Sequence, residues 1–435
     1  MKSRCLLYCV LAACCAVLPA VAAEPAVQSI SVADAVREAL NKNPAMQEAR
    51  ADIEAARASR QSAVADMLPE ASLNYGYTYL KEKPTQFDMQ VASQDQYSWD
   101  VTVVQPLFTG FALKSQLDMA RLNLTAREFE REQTRLDLVR NVKGACHNLL
   151  LAEKLLKVSD EEVETLKAHK RDAELIYKQG LVRLNDVLKA DVSLADAIQQ
   201  HEQARANVRK AKIRLNRLVD RPLEDDIHIQ EPETVPKGNH DLKHLSERAL
   251  AERPLVKLLD NSLAQLGLSK KLAKSAWYPT ISLVGRYEQD GENWQATEND
   301  YSNFYNTSVS VMAEWKFWRS GKTSAEVRRT KREIDALTAR IALLKGQVLE
   351  EVNRAVLDCE VALSNIDTAS RSLAQAEENW RITQKQYKHQ IATSTDVLDA
   401  RTYLTGADTN YYTAVYGYLD ALAALDRAVG DKRVY

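Results

Sequence analysis

The sequence predicts a mainly α-helical protein with a small β part, built as two copies of one unit. Three observations support this prediction. Residues recur at a constant separation of 210, long stretches of each half contain no proline, and short stretches before them alternate between apolar and polar side chains. A duplicated chain repeats one series of helices and strands, so each element of the first half predicts a counterpart in the second.

The repeat is clearest in the motif Asp-Val-Leu-x-Ala, which occupies residues 186–190 and 396–400. The variable slot holds Lys189 in the first copy and Asp399 in the second. We place the first copy at 24–220, a linker at 221–240 and the second copy at 241–435. Other pairs at the same separation are Pro44 and Pro254, Pro69 and Pro279, Tyr77 and Tyr287, Val101 and Val311, Tyr177 and Tyr387, and Leu215 and Leu425.

Residues 1–23 are typical of a secretory signal peptide. They combine Lys2 and Arg4 with a short apolar core and end in small residues up to Ala23. An uncleaved membrane anchor is the alternative. Cys14 also lies in a sequence that resembles a lipoprotein box, in which it would become the lipidated first residue of the mature chain.

Composition excludes several classes of function. The net charge of -2 and the mixed charges along the chain give no electrostatic basis for binding nucleic acid. Beyond the signal peptide only Cys146 and Cys359 remain, and they form either a disulfide or two buried free thiols. Without CxxC, HExxH or GxSxG motifs, we expect no metal, no cofactor and no enzymatic activity such as that of a periplasmic hydrolase.

Proline positions limit the helices, because proline inside a helix removes a hydrogen bond and clashes with the preceding turn. The two short helices of each copy together nearly match the long helix in length, so we expect them to stack end to end, antiparallel to it, in a coiled-coil-like rod. The predicted helices are 44–66, 113–178 and 186–220 in the first copy and 254–275, 322–389 and 396–430 in the second.

Each copy is also predicted to contain one β-hairpin, at about 72–108 and 280–318. In the second copy the alternation extends through Trp315 and Phe317. Period-two alternation with terminal aromatic residues is typical of transmembrane strands, but also of soluble half-buried strands. Four strands are too few to close a membrane barrel, so either the hairpins are soluble or several chains share one barrel.

The order of several motifs resembles that of TolC-type outer membrane factors, the outer membrane efflux protein family. The motifs are SVADAVREALNKNPAM, ADMLPEASLNYGY, QPLFTG, QGLVRLNDVLKA and TSTDVLDA. The resemblance implies a homotrimer in the outer membrane, in which four transmembrane β-strands per chain form a shared 12-stranded β-barrel. The helices would form a long antiparallel coiled-coil tunnel in the periplasm.

The same resemblance implies a passive exit duct of a tripartite efflux pump or a type I secretion system. Its partners would be a periplasmic adaptor (membrane fusion) protein, an inner-membrane transporter that is ABC-type or proton-driven, and outer membrane lipid. The helical turns would form the periplasmic tip. The residues implied to contact the adaptor are Gly180, Leu181, Val182, Gln390 and Ile391, with Gln390 replacing the glycine usual in the family.

Asp396 and Asp399 map onto carboxylates that narrow the tunnel in the family. Considered alone, acidic residues in the first turn of a helix are explained by capping and by the helix dipole. Capping does not explain why the copies differ at Lys189 and Asp399. Both interpretations are therefore retained.

Tyr387 and Asp186 map onto a network that holds the tip closed in the family. An arginine of that network maps onto Ala392, and Arg183 in the facing turn is the candidate replacement. Considered alone, Tyr387 is a partly buried helical tyrosine.

Tyr75, Trp99 and Trp315 are expected at the membrane interface, or in core packing between hairpin and helix. A soluble periplasmic coiled-coil scaffold is the alternative function.

Overall fold

The computed structural model describes residues 29–232 and 241–431. The predicted signal peptide, Cys14 and part of the predicted linker lie outside the described residues. The elements are β1 (Ser29–Ile30), α1 (Val32–Lys42), α2 (Pro44–Ala65), β2 (Glu70–Tyr79), β3 (Thr85–Gln86), β4 (Met89–Gln90), β5 (Asp95–Phe108), α3 (Ala112–Lys178), α4 (Leu184–Val219), β6 (His228–Ile229), α5 (Leu242–Glu252), α6 (Pro254–Ser275), β7 (Thr280–Gly291), β8 (Tyr305–Glu314), α7 (Lys322–Lys388) and α8 (Ser394–Val429).

The helices of the two copies occupy equivalent positions. Each of α1 to α4 begins and ends 210 residues before its counterpart among α5 to α8. The residues that end α4 and α8, Asp220 and Gly430, both have a positive φ, of 59° and 80°. A left-handed residue at this position ends a helix and redirects the chain.

The long helices α3 and α7 have 67 residues each, which corresponds to roughly 100 Å. The partners of α3 are α4 along one part and α2 along another, and α7 packs in the same way against α8 and α6. Two main clusters of buried apolar residues hold these helices together, one around Val142 and Leu215 and one around Val352 and Leu425. No helix in the described part of the chain is both long and apolar enough to cross a membrane.

A side chain bridges the junction between the two short helices of each copy. Asn43, which precedes α2, donates from Nδ2 to the carbonyl oxygen of Leu218 near the end of α4, at 2.8 Å. Arg253, which precedes α6, donates from Nη1 to the carbonyl oxygen of Ala428 near the end of α8, at 3.5 Å. The last carbonyls of a helix lack intrahelical partners. These bonds therefore join α4 to α2 and α8 to α6 end to end.

An ionic triad lies beside each junction, with its charges reversed between the copies. In the first copy Glu38 pairs with Lys42 at 2.9 Å and with Arg221 at 2.6 Å. The equivalent residues of the second copy are Arg248, Glu252 and Asp431, and Arg248 pairs with Glu252 at 3.0 Å and with Asp431 at 3.4 Å. Each triad thus links a short helix (α1 or α5) to the second residue after α4 or α8.

The four long strands form one antiparallel sheet in the order β2-β5-β7-β8. The edge strands β2 and β8 are exposed along their entire length. Strand β8 is shorter than predicted, because Glu314 pairs with Thr280, the first residue of β7, and no strand remains opposite Trp315. Trp315 instead donates from Nε1 to the carbonyl oxygen of Trp277 at 3.2 Å.

The charge-reversed triads generate a prediction. Glu38→Arg places a third positive charge beside Lys42 and Arg221 and should lower the free energy of unfolding by about 2 kcal/mol, since hydrogen bonds between charged groups are lost. The triple variant Glu38→Arg, Lys42→Glu, Arg221→Asp recreates the charges of the second copy and should regain most of that loss. Thermal unfolding followed by helical circular dichroism measures both; a triple variant no more stable than Glu38→Arg would contradict the idea.

Candidate functional site

The two helical hairpins end in turns with the same backbone. In the first turn Leu181 donates its N–H to the carbonyl oxygen of Ile176 at 3.2 Å, and in the second turn Ile391 donates to Gln386 at 2.9 Å. Both turns contain a left-handed residue, Gly180 with a φ of 77° or Gln390 with a φ of 60°. Residues other than glycine adopt this conformation at a cost of about 1–2 kcal/mol. The second turn is therefore the more strained.

Each turn presents an apolar side chain at its apex. Leu181 is 56% exposed and Ile391 is 74% exposed. Gly180 and Gln390 are also exposed, and Val182 is partly buried. The residues that the sequence predicts to contact an adaptor thus lie at the ends of the two helical hairpins, and most of them are exposed to solvent.

The two turns differ in how they start the returning helix. Thr393 and Asp396 form a complete capping box: Asp396 accepts from the N–H and the hydroxyl of Thr393, both at 2.7 Å, and its own N–H donates to Thr393 Oγ1 at 3.2 Å. These hydrogen bonds from Thr393 lower the pKa of Asp396. At the equivalent positions, Asp186 accepts from the Arg183 N–H at 3.4 Å. Arginine has no acceptor with which to cap a helix.

Asp399 and Lys189, which occupy equivalent slots, have different surroundings. Asp399 is exposed, and no hydrogen bond or ion pair joins its carboxylate to another residue within the described ranges. Lys189 donates from Nζ to the hydroxyl of Thr395 at 3.1 Å, so that it crosses from α4 to the first turn of α8. The carboxylate of Asp399 is therefore open to solvent, whereas that of Asp396 is engaged in the capping box.

Tyr387 is buried, and its hydroxyl has no hydrogen-bond partner among the described residues. Burial raises its pKa, and the charges of Asp172 and Asp186 raise it further. No hydrogen bond joins Tyr387 to Asp186 or Arg183 in this part of the chain. The structure therefore does not assemble the three residues into one hydrogen-bonded network within a single chain.

The ring of Tyr387 packs against His169 of α3, a residue that no sequence motif indicates. The two rings lie 5.0 Å apart between centroids. His169 Nε2 also lies 2.8 Å from Oγ of Ser394, the first residue of α8, and all three side chains are buried. His169 lies on a helix without a motif, and the equivalent residue of the second copy is Asn379. The repeat therefore gave no signal for it.

The sheet has one apolar and one polar face. The apolar face carries the register pairs Leu73 with Val101 and Tyr75 with Trp99. On the opposite face, Asp100 accepts from Asn74 at 3.2 Å and pairs with Arg286 at 3.4 Å. The polar face continues across all four strands through the pair of Arg286 with Glu288, at 3.1 Å, and the bond from Asn306 to Glu288, at 3.0 Å.

The predicted interface aromatics lie at or near this sheet. Tyr75 is exposed and donates from its hydroxyl to the carbonyl oxygen of Trp294 at 2.7 Å. The Trp99 ring lies 5.4 Å from that of Tyr287, between centroids. Trp315 lies just beyond β8 and is exposed.

Cys146 and Cys359 are buried free thiols. Burial raises the pKa of Cys146 to about 12 and that of Cys359 to about 11, so both remain protonated at neutral pH. No group of His, Cys, Asp and Glu side chains within residues 29–232 and 241–431 has the arrangement of a metal site.

Comparisons with known proteins agree on one family. The sequence model of the family described as outer membrane efflux protein matches residues 35–220 and 245–431. The chain is 23% identical to the alkaline protease secretion protein AprF of Pseudomonas aeruginosa over 406 residues, which are 91% of this chain and 84% of AprF. It is 20% identical to the outer membrane protein TolC of Escherichia coli over 437 residues, 93% and 83% of the two chains.

A solved structure shows the same fold. The outer membrane protein VceC of Vibrio cholerae matches with a TM-score of 0.80 at 17% identity, over 92% of this chain and 96% of that chain.

The difference between Gly180 and Gln390 generates a prediction. Gly180→Ala should destabilise the first turn by about 1 kcal/mol, because a Cβ at this position touches nothing and only the left-handed backbone is penalised. Gln390→Gly should relieve the same strain in the second turn. Hydrogen exchange of the amides at 179–183 and 389–393 measures both effects. Gly346→Ala, inside α7 and also without a clash, is the control that should leave both turns unchanged.

Proposed function

The chain belongs to the outer membrane efflux protein family, and we propose that three copies form one continuous duct through the outer membrane and the periplasm. Members of this family are channels located in the outer membrane. The outer membrane location is inconsistent with the alternative function, a soluble periplasmic scaffold. The main observation in support of a trimeric duct is that the sheet of each chain has two unpaired edge strands, β2 and β8, that can pair with each other between chains.

The edges of the sheet support shared closure. Because every pairing in the sheet is antiparallel, β2 and β8 run in opposite directions. Strand β8 of one chain is therefore oriented to pair antiparallel with β2 of the next. Unpaired backbone groups at a sheet edge are not tolerated in lipid. Three chains would close a barrel of twelve strands, with the apolar face towards lipid and the polar face towards water.

The helices support the same arrangement. Ala190 and Ala197 of α4 are buried, Ala197 in a cluster with α3, whereas Leu188 and Val192 remain exposed. A 100° step per residue places the second pair on the opposite side of the helix. Helix α7 likewise buries Val352 and exposes other aliphatic residues. The large apolar residues exposed on α7 are Leu343, Leu357, Val361, Leu363 and Ile382, of which all but Leu363 lie on the side of the helix away from Val352.

These exposed stripes lie at opposite edges of one helical layer. The extensive contacts follow the order α4-α3-α8-α7, and further along the molecule α2-α3-α6-α7. Because α2 leads into β2 and β8 leads into α7, the α2 and α4 edge of the layer continues into β2, and the α7 edge continues from β8. Contact between α4 of one chain and α7 of the next would bury both stripes and extend the duct below the barrel.

Within this assembly the helical turns form the periplasmic tip, which docks an adaptor protein through Leu181, Ile391 and their neighbours. The inner-membrane transporter, ABC-type or proton-driven, supplies the energy and selects the cargo, and the duct conducts passively. A relative named for protease secretion within a family named for efflux supports a duct that serves either task. Adaptor binding would open the tip by shifting the α7–α8 hairpin between two states.

This assembly assigns roles to three groups of residues that the sequence singled out. Asp399, with Asp396 beside it, forms the negatively charged constriction. Asp186, Tyr387 and Arg183 contribute to the closed tip, where a neighbouring chain supplies the contacts that are absent within one chain. Tyr75, Trp99 and Trp315 meet the membrane interface.

The trimeric duct is tested by isolating the full-length protein from membranes. We expect a trimer in the outer membrane fraction that forms ion-conducting channels in planar bilayers. Recovery as a monomer, or a trimer without conductance, would contradict the proposal. As a matched test of the interface, Leu188→Asp should weaken the trimer, since it places a charge in the α4 stripe, whereas the same change at Tyr403, an exposed residue outside that stripe, should not.

The constriction generates a separate prediction. In water a unit charge about 10 Å from an ion contributes about 0.4 kcal/mol, or about a twofold change in local cation concentration. Asp399→Asn should therefore lower the cation-to-anion permeability ratio by at least about twofold. Reversal potentials in a salt gradient measure this ratio. Glu378→Gln, which removes an exposed carboxylate from α7, is the control; equal effects of the two variants would remove Asp399 from the constriction.

A further inference from the structure

His169 connects α3 to both ends of the second turn. Its imidazole contacts Tyr387, the penultimate residue of α7, and Ser394, the first residue of α8. A single side chain of the first hairpin therefore holds the last turn of one helix and the first turn of the next. Any displacement of the α7–α8 hairpin away from α3 must break the contact with Ser394.

The contact with Ser394 is unlike the other polar link between the hairpins near this turn. Lys189 reaches Thr395 at 3.1 Å, but this hydrogen bond is exposed to solvent. His169 and Ser394 are 5% and 3% exposed, so water does not compete for their hydrogen bond. The buried contact is consequently the more sensitive to a change of charge.

Several charged or titratable groups surround His169. Burial lowers the pKa of His169, and the negative charge of Asp172 acts in the opposite direction. Asp172 is exposed, so it does not compensate a buried imidazolium in place. The groups that face this region are Glu164 and Asp172 on α3, Tyr387 and Lys388 on α7, Asp396 on α8, and Asp186 and Lys189 on α4.

We propose that His169 is the positioning residue of the tip: its neutral ring holds the α7–α8 hairpin on α3, and protonation of the ring releases the hairpin. This proposal rests on the proposed function, in which that hairpin gates the duct. An imidazolium has two N–H donors and loses hydration in the buried position. The imidazolium regains hydration and approaches the negative charge of Asp172 when it turns towards solvent, and this movement separates it from Ser394. Acid would therefore favour the open tip.

The sign of the pH dependence follows from the buried neutral state. The closed tip is fully stabilised above the ordinary histidine pKa of about 6.5 and loses stability as the pH falls towards the lower pKa of the closed form. Each unit between the pKa values of the closed and open forms corresponds to about a tenfold change in the ratio of open to closed chains.

The test is the open probability of the full-length trimer in planar bilayers between pH 7.5 and 5. Wild type should open more at pH 5 than at pH 7.5, by several-fold. In His169→Gln the amide nitrogen replaces Nε2 as a partner for Ser394 but does not titrate, so the variant should remain closed throughout. His169→Ala should be more open than wild type even at pH 7.5.

His147→Gln is the matched control, because His147 is also buried on α3 but lies far from the turn, and this variant should keep the wild-type response. A pH response that survives in His169→Gln, or that disappears in His147→Gln, overturns the role of His169 and leaves the duct intact. Absence of any channel in the wild type overturns both proposals.

Discussion

The whole architecture depends on the need of each 67-residue helix for a partner along its full length. An isolated helix of this length would leave its apolar stripe in water. The chain provides the partner in two pieces, since α4 and α2, or α8 and α6, meet end to end at the Asn43 or Arg253 junction. Strands β2 and β7 follow the C-terminal ends of α2 and α6. The junction at the N-terminal end of each of these helices therefore determines where the sheet begins along the molecule.

Much of this architecture was accessible from the sequence, because its determinants are local and repeated. Proline-free stretches limited the long helices to within a few residues, and the constant separation of 210 located the counterpart of each predicted helix. The end of β8 at Glu314 was missed because it depends on where the partner strand begins, which alternation in one strand does not encode. His169 was missed for a related reason, since its partners, Tyr387 and Ser394, are more than 200 residues away.

The two copies keep the same frame and differ at its tip. The differences at or just after the turns include Gly180 against Gln390, Arg183 against Thr393, and Lys189 against Asp399 in the first turns of α4 and α8. The second turn combines the left-handed Gln390 at its apex with the Thr393–Asp396 capping box, so a strained residue lies just before a well-capped α8. Such a combination suits a turn that changes position as a unit. The first turn has glycine at its apex and a weaker cap, so its backbone can adjust locally at a lower cost.

The reversed triads have a consequence for how the chain reaches this structure. Two copies of one unit in a single chain create the risk that a short helix of one copy docks beside the closing helix of the other. Such an exchange would place Glu38 against Asp431 and Arg248 against Arg221, two pairs of like charge, at sites where the correct pairs are 2.6 Å and 3.4 Å apart. The reversed charges therefore disfavour the exchange and favour docking of each short helix beside the closing helix of its own copy.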